Sequence, residues 1–112
     1  MKLVTIITRQ SRLDEILNAL REEGIHGVTV SDVMGSGKQR GRTAYYGGEE
    51  YALELTPKVK IELVLPTDRC DGICTRLADA ARTGEIGDGK IWVVDVASVV
   101  RIRTGETGPE AI

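Results

Sequence analysis

Four short stretches combine glycine with charge in a way that suits an anion. The first is Thr83-Gly84-Glu85-Ile86-Gly87-Asp88-Gly89-Lys90. Glycines on both sides of Asp88 let consecutive backbone N–H groups converge on one anion, and Lys90 adds a point charge. The same tetrapeptide also satisfies an ordinary tight turn, and both readings stand at this point. The second is Arg101-Ile102-Arg103. If that segment is extended, its two guanidiniums project from one side and suit phosphate oxygens, although a solvated basic face has the same pattern.

The third stretch is Gly35-Ser36-Gly37-Lys38-Gln39-Arg40-Gly41, followed by Arg42. Gly-rich backbone approaches phosphate closely, but the GKS/T ending of a Walker A loop is absent, and a flexible connector fits as well. The fourth is Lys58 with Glu62. Four apart in a strand, they share a sheet face, so Lys58 either meets a carboxylate or serves as a solubility residue.

No catalytic set accompanies these stretches. His26 is the only histidine, between Ile25 and Gly27, so neither a Ser/His/Asp nor a Cys/His arrangement is available. Cys70 and Cys74 lie four apart in a segment that reads as helix. Neighbouring turns hold two thiols too far apart for an unstrained disulfide, and both read as small buried hydrophobes. The residues point to binding an anion, and an enzyme is not expected.

Composition sets the frame in which these stretches must be held. The chain has 112 residues, 41% hydrophobic and 29% charged, with no Phe and one Trp. That suits one domain with a thin aliphatic core, which association would help. A net charge of −2 gives no pull towards nucleic acid. Arg9 and Gln10 interrupt the first apolar run, which excludes a signal-peptide layout there, and no apolar stretch reaches membrane-span length. A cytoplasmic protein without direct membrane insertion is expected.

Residues 2–8 read as a strand. Ser11 and Asp14 form a capping-box pattern before a helix whose buried stripe is Leu13, Ile16, Leu17 and Leu20, with Gly24 as a left-handed end. A second strand is predicted over residues 27–34, carrying Val28, Val30 and Val33. Gly35 to about Leu55 has no clear period, and a stretch of that length inside a small domain is usually functional or disordered. Alternation returns at Val59, Ile61, Leu63 and Leu65, up to Pro66.

Thr67 is placed to cap a second helix with the stripe Cys70, Ile73, Cys74, Leu77, Ala78 and Ala81. Ile91 to Val96 reads as a fourth strand, Val99 to Arg103 as a short extended piece, and 104–112 as a polar tail. The order predicts an α+β ferredoxin-like βαββαβ sandwich, with two helices on one face of a four-stranded antiparallel sheet. The apolar residues left on the other face call for a partner.

With these elements in place, the chain resembles the P-II family of nitrogen signal-transduction proteins from Met1 to about Glu106. Thr83, Gly87-Asp88-Gly89-Lys90-Ile91-Trp92-Val93 and Val96 match the family pattern. So do Gly35, Gly37, Gln39 and Gly41, the run Pro57-Lys58-Val59-Lys60-Ile61-Glu62, and the run from Val100 to Glu106. The resemblance implies a single P-II-like domain over 1–112 that forms a homotrimer with nucleotide sites between subunits. It implies ATP or ADP binding by Gly35, Gly37, Lys38, Gln39, Gly87, Asp88, Gly89 and Lys90. Thr29, Glu62, Val64, Arg101 and Arg103 would join from a neighbour.

It also implies Mg²⁺ held with ATP through Gln39, and 2-oxoglutarate bound by Gln39, Arg40, Gly41, Lys58 and Gly87. A mobile T-loop over about 36–55 would contact a target transporter or enzyme, a transporter recruiting the protein to the membrane. Tyr51 stands where some members are modified, and an unmodified contact residue is the equal alternative. Gly47 replaces the basic residue that enters the pore in members that block ammonium channels, and Glu49 replaces a small one. The ammonium channel is in doubt as partner for that reason. An adenyl-nucleotide sensor of another transport system, such as bicarbonate uptake, is the alternative. Ser36 and Arg9-Gln10-Ser11-Arg12 also depart from the family's usual residues.

Overall fold

The computed structural model describes residues 1–37, 44–46, 49–51 and 55–112, the two short internal pieces by backbone alone. Strand β1 (Lys2–Thr8) is followed by a 3-10 turn at Gln10–Arg12, helix α1 (Leu13–Glu22) and strand β2 (Thr29–Gly35). Strands β3 (Ala44–Tyr46) and β4 (Glu49–Tyr51) pair with each other. Strand β5 (Thr56–Leu65), helix α2 (Thr67–Ala81) and strand β6 (Lys90–Asp95) complete the fold, and a second 3-10 turn covers Gly108–Ala111. The main sheet is antiparallel throughout, in the order β2-β5-β1-β6.

Alternation decides what each sheet face does. Val59, Ile61, Leu63 and Leu65 of β5 are buried beneath the helices, with Val4 and Ile6 of the neighbouring β1. The helices contribute Ile16 and Leu20 from α1 and Cys70, Ile73, Leu77 and Ala81 from α2 to the same core. Such side chains stabilise the domain by about 1.5–3 kcal/mol each when fully buried. The predicted ferredoxin-like α+β sandwich is the fold observed.

Residues of the opposite parity face away from the helices. On β1 these include Leu3 and Ile7, on β5 Lys58, Glu62 and Val64, and on β6 Trp92 and Val94. Trp92 is 41% and Val94 48% exposed on that open face. Buried Thr5 sits between Glu62 and Trp92 in the register.

Several local expectations change. The capping box does not form, because Ser11 lies in the 3-10 turn and α1 starts at Leu13 with no side-chain cap. Thr67 does not cap α2 either. Pro66 holds the cap position, and the Thr67 hydroxyl instead accepts from the Met1 amino group at 2.9 Å. Gly24 does end α1 in the left-handed region at φ 75°, with Ile25 N–H donating to the Leu20 carbonyl at 2.9 Å. The segment read as an aperiodic loop contains the β3–β4 ribbon.

The C-terminal segment also departs from its expected form. Residues 99–103 are not a strand. Val100 bridges to Thr107, and the chain turns through 102–104. The tail therefore folds back on itself instead of trailing. Cys70 and Cys74 are both free thiols, Cys70 buried and Cys74 half-buried, and Cys74 is pushed up to about 11 by burial and by neighbouring Cys70.

Candidate functional site: a glycine loop at the sheet end

Three separated stretches meet at one end of the open face. The last residue of β2, the first residues of β5 and the turn before β6 come together because β2 and β5 pair as Gly35 with Thr56 and Val33 with Lys58. β1 then brings Ile7 beside Lys90. A cavity of about 620 Å³ lies between them, lined by Gly35, Ser36, Gly37, Lys58, Gly87, Gly89 and Lys90, with Trp92 and Ile7 as apolar walls. Several of the glycines and lysines that the sequence singles out thus share one place.

The turn before β6 is shaped by two glycines and one carboxylate. Gly87 at φ 105° and Gly89 at φ 91° occupy backbone conformations that side chains disfavour. Asp88 between them does not reach into the cavity. Its carboxylate accepts from the Thr83 amide at 2.8 Å, the Gly84 amide at 2.9 Å and the Thr83 hydroxyl. The Arg9 guanidinium adds an ion pair at 3.3 Å. The Thr83 hydroxyl first, then the Thr83 and Gly84 amides and Arg9, hold this carboxyl well below the usual carboxylate range, against the opposing effect of partial burial.

The carbonyls of the same turn are also engaged. Arg9 donates to the Ile86 carbonyl at 2.6 Å, Lys58 to Gly87 at 2.8 Å, and the Thr8 hydroxyl to Asp88 at 2.6 Å. Among the described residues, no hydrogen bond is made by the backbone N–H of Gly87 or Asp88. Peptide donors left without partners between two positive-φ glycines make an anion-accepting turn.

The other predicted ligand residues divide between two places. Thr29, Glu62 and Val64 line a second cavity, of about 420 Å³, with Leu3, Val99 and Ile112. It lies further along the sheet, since Glu62 is four residues beyond Lys58 on β5, about 13 Å away. Arg101 and Arg103 line neither cavity. Arg101 pairs with Glu106 at 3.1 Å and donates to the Ile112 carbonyl at 3.1 Å, while Arg103 is exposed in the turn. The expected shared face of the two arginines is lost with the extended segment that would have created it.

Lys38, Gln39, Arg40, Gly41, Arg42 and Gly47 lie outside the described residues, as do the side chains of Glu49 and Tyr51. Sequence reasoning missed Thr8 and the structural task of Arg9. A threonine at a strand end and an arginine after it carry no motif, so only the fold reveals what they touch.

This fold and this turn have close counterparts. The family model for nitrogen regulatory protein P-II matches residues 1–106. The chain belongs to the P-II family. A nitrogen regulatory protein P-II of Synechocystis sp. is 53% identical over 112 residues, covering all of both chains. The P-II 1 protein of Escherichia coli strain K12 is 49% identical over the same full length. Among solved structures, Arabidopsis thaliana PII bound to citrate superposes with a TM-score of 0.80 at 40% identity, covering 99% of this chain and 91% of that one. P-II proteins are regulatory signal transducers that act on target proteins. In P-II terms, the cavity at the sheet end lies at the base of the long segment between β2 and β5.

Proposed function

We propose that the chain is a non-enzymatic sensor of ATP or ADP and 2-oxoglutarate, controlling a transporter or enzyme in nitrogen metabolism through the segment 36–55. The observation carrying this reading is the glycine turn with a free Gly87 amide beside Lys58 and Lys90. Two cations and a free peptide donor at one cavity suit a polyphosphate, and a second cavity with Thr29, Glu62 and Val64 suits a base and ribose. Both cavities are lined by open-face residues, so a homotrimer closing over that face joins the phosphate half of one protomer to the base half of its neighbour.

Magnesium fits this reading through the ligands more than through carboxylates of the chain. Asp88 is committed to the turn, and among the described residues no group of three His, Cys, Asp or Glu could hold a metal. Mg²⁺ in such sites is held largely by phosphate oxygens and waters, with Gln39 as the chain's donor. Lys58 is the cation for a carboxylate of 2-oxoglutarate, and Gln39, Arg40, Gly41 and Gly87 are the further residues assigned to that acid. A carboxylate arriving there competes with the Gly87 carbonyl for the Lys58 ammonium, which links the organic acid to the nucleotide turn.

Isothermal titration with ATP, with and without Mg²⁺ and 2-oxoglutarate, tests the proposal. Nucleotide binding strengthened by 2-oxoglutarate is the expected result. Absence of nucleotide binding overturns it, and binding indifferent to 2-oxoglutarate leaves a sensor of adenylates alone. Gly47 and Glu49 favour a second reading, in which the target is another transport system such as bicarbonate uptake. Capture of the partner with each ligand present separates the two, since the partner names the pathway.

A further inference from the structure

Three consecutive carbonyls of the turn, at Ile86, Gly87 and Asp88, are each taken by a side chain from the main sheet or its immediate end. A trans peptide carries its C=O and its following N–H on opposite sides. Fixing the Ile86 carbonyl on Arg9 therefore turns the Gly87 N–H away from Arg9. Fixing the Gly87 carbonyl on Lys58 does the same for the Asp88 N–H. The conformation that leaves these two amides unpaired is thus imposed from the carbonyl side, before any ligand arrives.

Arg9 does more than the other two donors. Its guanidinium reaches the Ile86 carbonyl at 2.6 Å and the Asp88 carboxylate at 3.3 Å, so one planar group ties both sides of Gly87. A Cβ built at Gly87 would stand 3.0 Å from that guanidinium, so arginine and glycine are closely packed. Arg9 is well placed for this because the chain leaves β1 at Thr8 with extended backbone and then enters the 3-10 turn. Lysine has one point-like head and cannot span two acceptors as a fork does.

We propose that Arg9 is a positioning residue for nucleotide phosphates: through the Ile86 carbonyl it holds the Gly87 amide in its anion-accepting orientation, seconded by Thr8, which fixes the turn one residue further on through the Asp88 carbonyl. Arg9 acts here through the turn and not by touching the phosphates. The inference rests on the nucleotide-binding reading above.

The test titrates ATP and adenosine into the full-length protein and its Arg9→Ala, Arg9→Lys and Thr8→Val variants, with thermal unfolding alongside. Loss of a hydrogen bond to a charged group corresponds to about 10- to 100-fold in affinity. Arg9→Ala is expected to weaken ATP by that factor and leave adenosine unchanged. Arg9→Lys is expected to recover only part of it, and Thr8→Val to weaken ATP selectively by about threefold to tenfold although no charge is removed.

Failure of the unmodified protein to bind ATP removes the nucleotide reading itself. ATP binding that is unchanged in Arg9→Ala overturns the positioning role alone. Full recovery in Arg9→Lys with no effect of Thr8→Val also overturns it, because a direct charge contact then explains the loss. If Arg9→Ala unfolds, Thr8→Val decides the matter, with unchanged ATP affinity counting against the proposal.

Discussion

A Cβ at position 89 would stand 1.8 Å from the Ile7 carbonyl oxygen, on a residue already at φ 91°. Both penalties fall on one atom, and the obstacle is backbone of the central strand, which cannot move aside. Gly89→Ala is therefore expected to destabilise the fold by about 3 kcal/mol or more, seen as a thermal midpoint lowered by roughly 10 °C or more. Gly84→Ala is the control, with a similar φ of 88° but open space around the new atom, and only about 1–2 kcal/mol of backbone strain is expected. Asp88 gives a second prediction at this scale. Its folded pKa is depressed, so its contribution is present above the ordinary carboxylate range and is lost as pH falls towards the folded value. Asp88→Asn is expected to flatten the acid side of the stability–pH curve relative to the unmodified protein, measured by urea unfolding at a series of pH values. The two glycines were legible in the sequence as a turn. The inward task of Asp88 was not, because an aspartate between glycines looks the same whether it faces ligand or backbone.

Elements were most legible where burial repeats. β5 alternates cleanly, and its buried set Val59, Ile61, Leu63 and Leu65 is the one that periodicity selects. The stripe of α2 was equally clear, and Leu77 at its centre is fully buried against the sheet. Leu77→Ala is expected to cost about 2–5 kcal/mol, read as a lower urea midpoint with an unchanged slope. Element ends were harder to read. The Ser11 and Thr67 patterns have the right residue types for caps, yet the Arg12 N–H donates to the Arg9 carbonyl at 3.1 Å, and the Arg69 N–H to that of Pro66 at 3.1 Å. Backbone acceptors one turn back compete with a hydroxyl cap, and spacing alone does not say which prevails. The β3–β4 ribbon was missed for a related reason: three-residue strands are too short to show a period. The extended reading of Arg101-Ile102-Arg103 failed because the Gly105 N–H closes a turn onto the Arg101 carbonyl at 2.8 Å.

At the scale of the whole molecule, Lys58, Gly87 and Lys90 line one cavity and Thr29, Glu62 and Val64 another, and among the described residues Trp92 and Val94 stay exposed on the sheet face away from the helices. Both facts follow if copies pair so that the phosphate half of one meets the base half of the next. Mixing separates that arrangement from a site built within one chain. Lys90→Gln damages only the phosphate half, since Lys90 lines the larger cavity, and Glu62→Gln damages only the base half, since Glu62 lines the smaller one. Each variant alone is expected to bind ATP at least about tenfold more weakly, the loss of a charged hydrogen-bond partner. After the two are dissociated together, refolded and allowed to reassemble at equal amounts, random assembly gives about one quarter of interfaces an undamaged half from each protomer, if the site is heterologous. Titration of the mixture should then recover about that fraction of full-affinity sites, with the same affinity as the unmodified protein. Recovery of none, with mixed assemblies verified by native mass spectrometry, would mean that both halves act within one chain. The nucleotide would then have to bridge the roughly 13 Å of β5 between Lys58 and Glu62 alone.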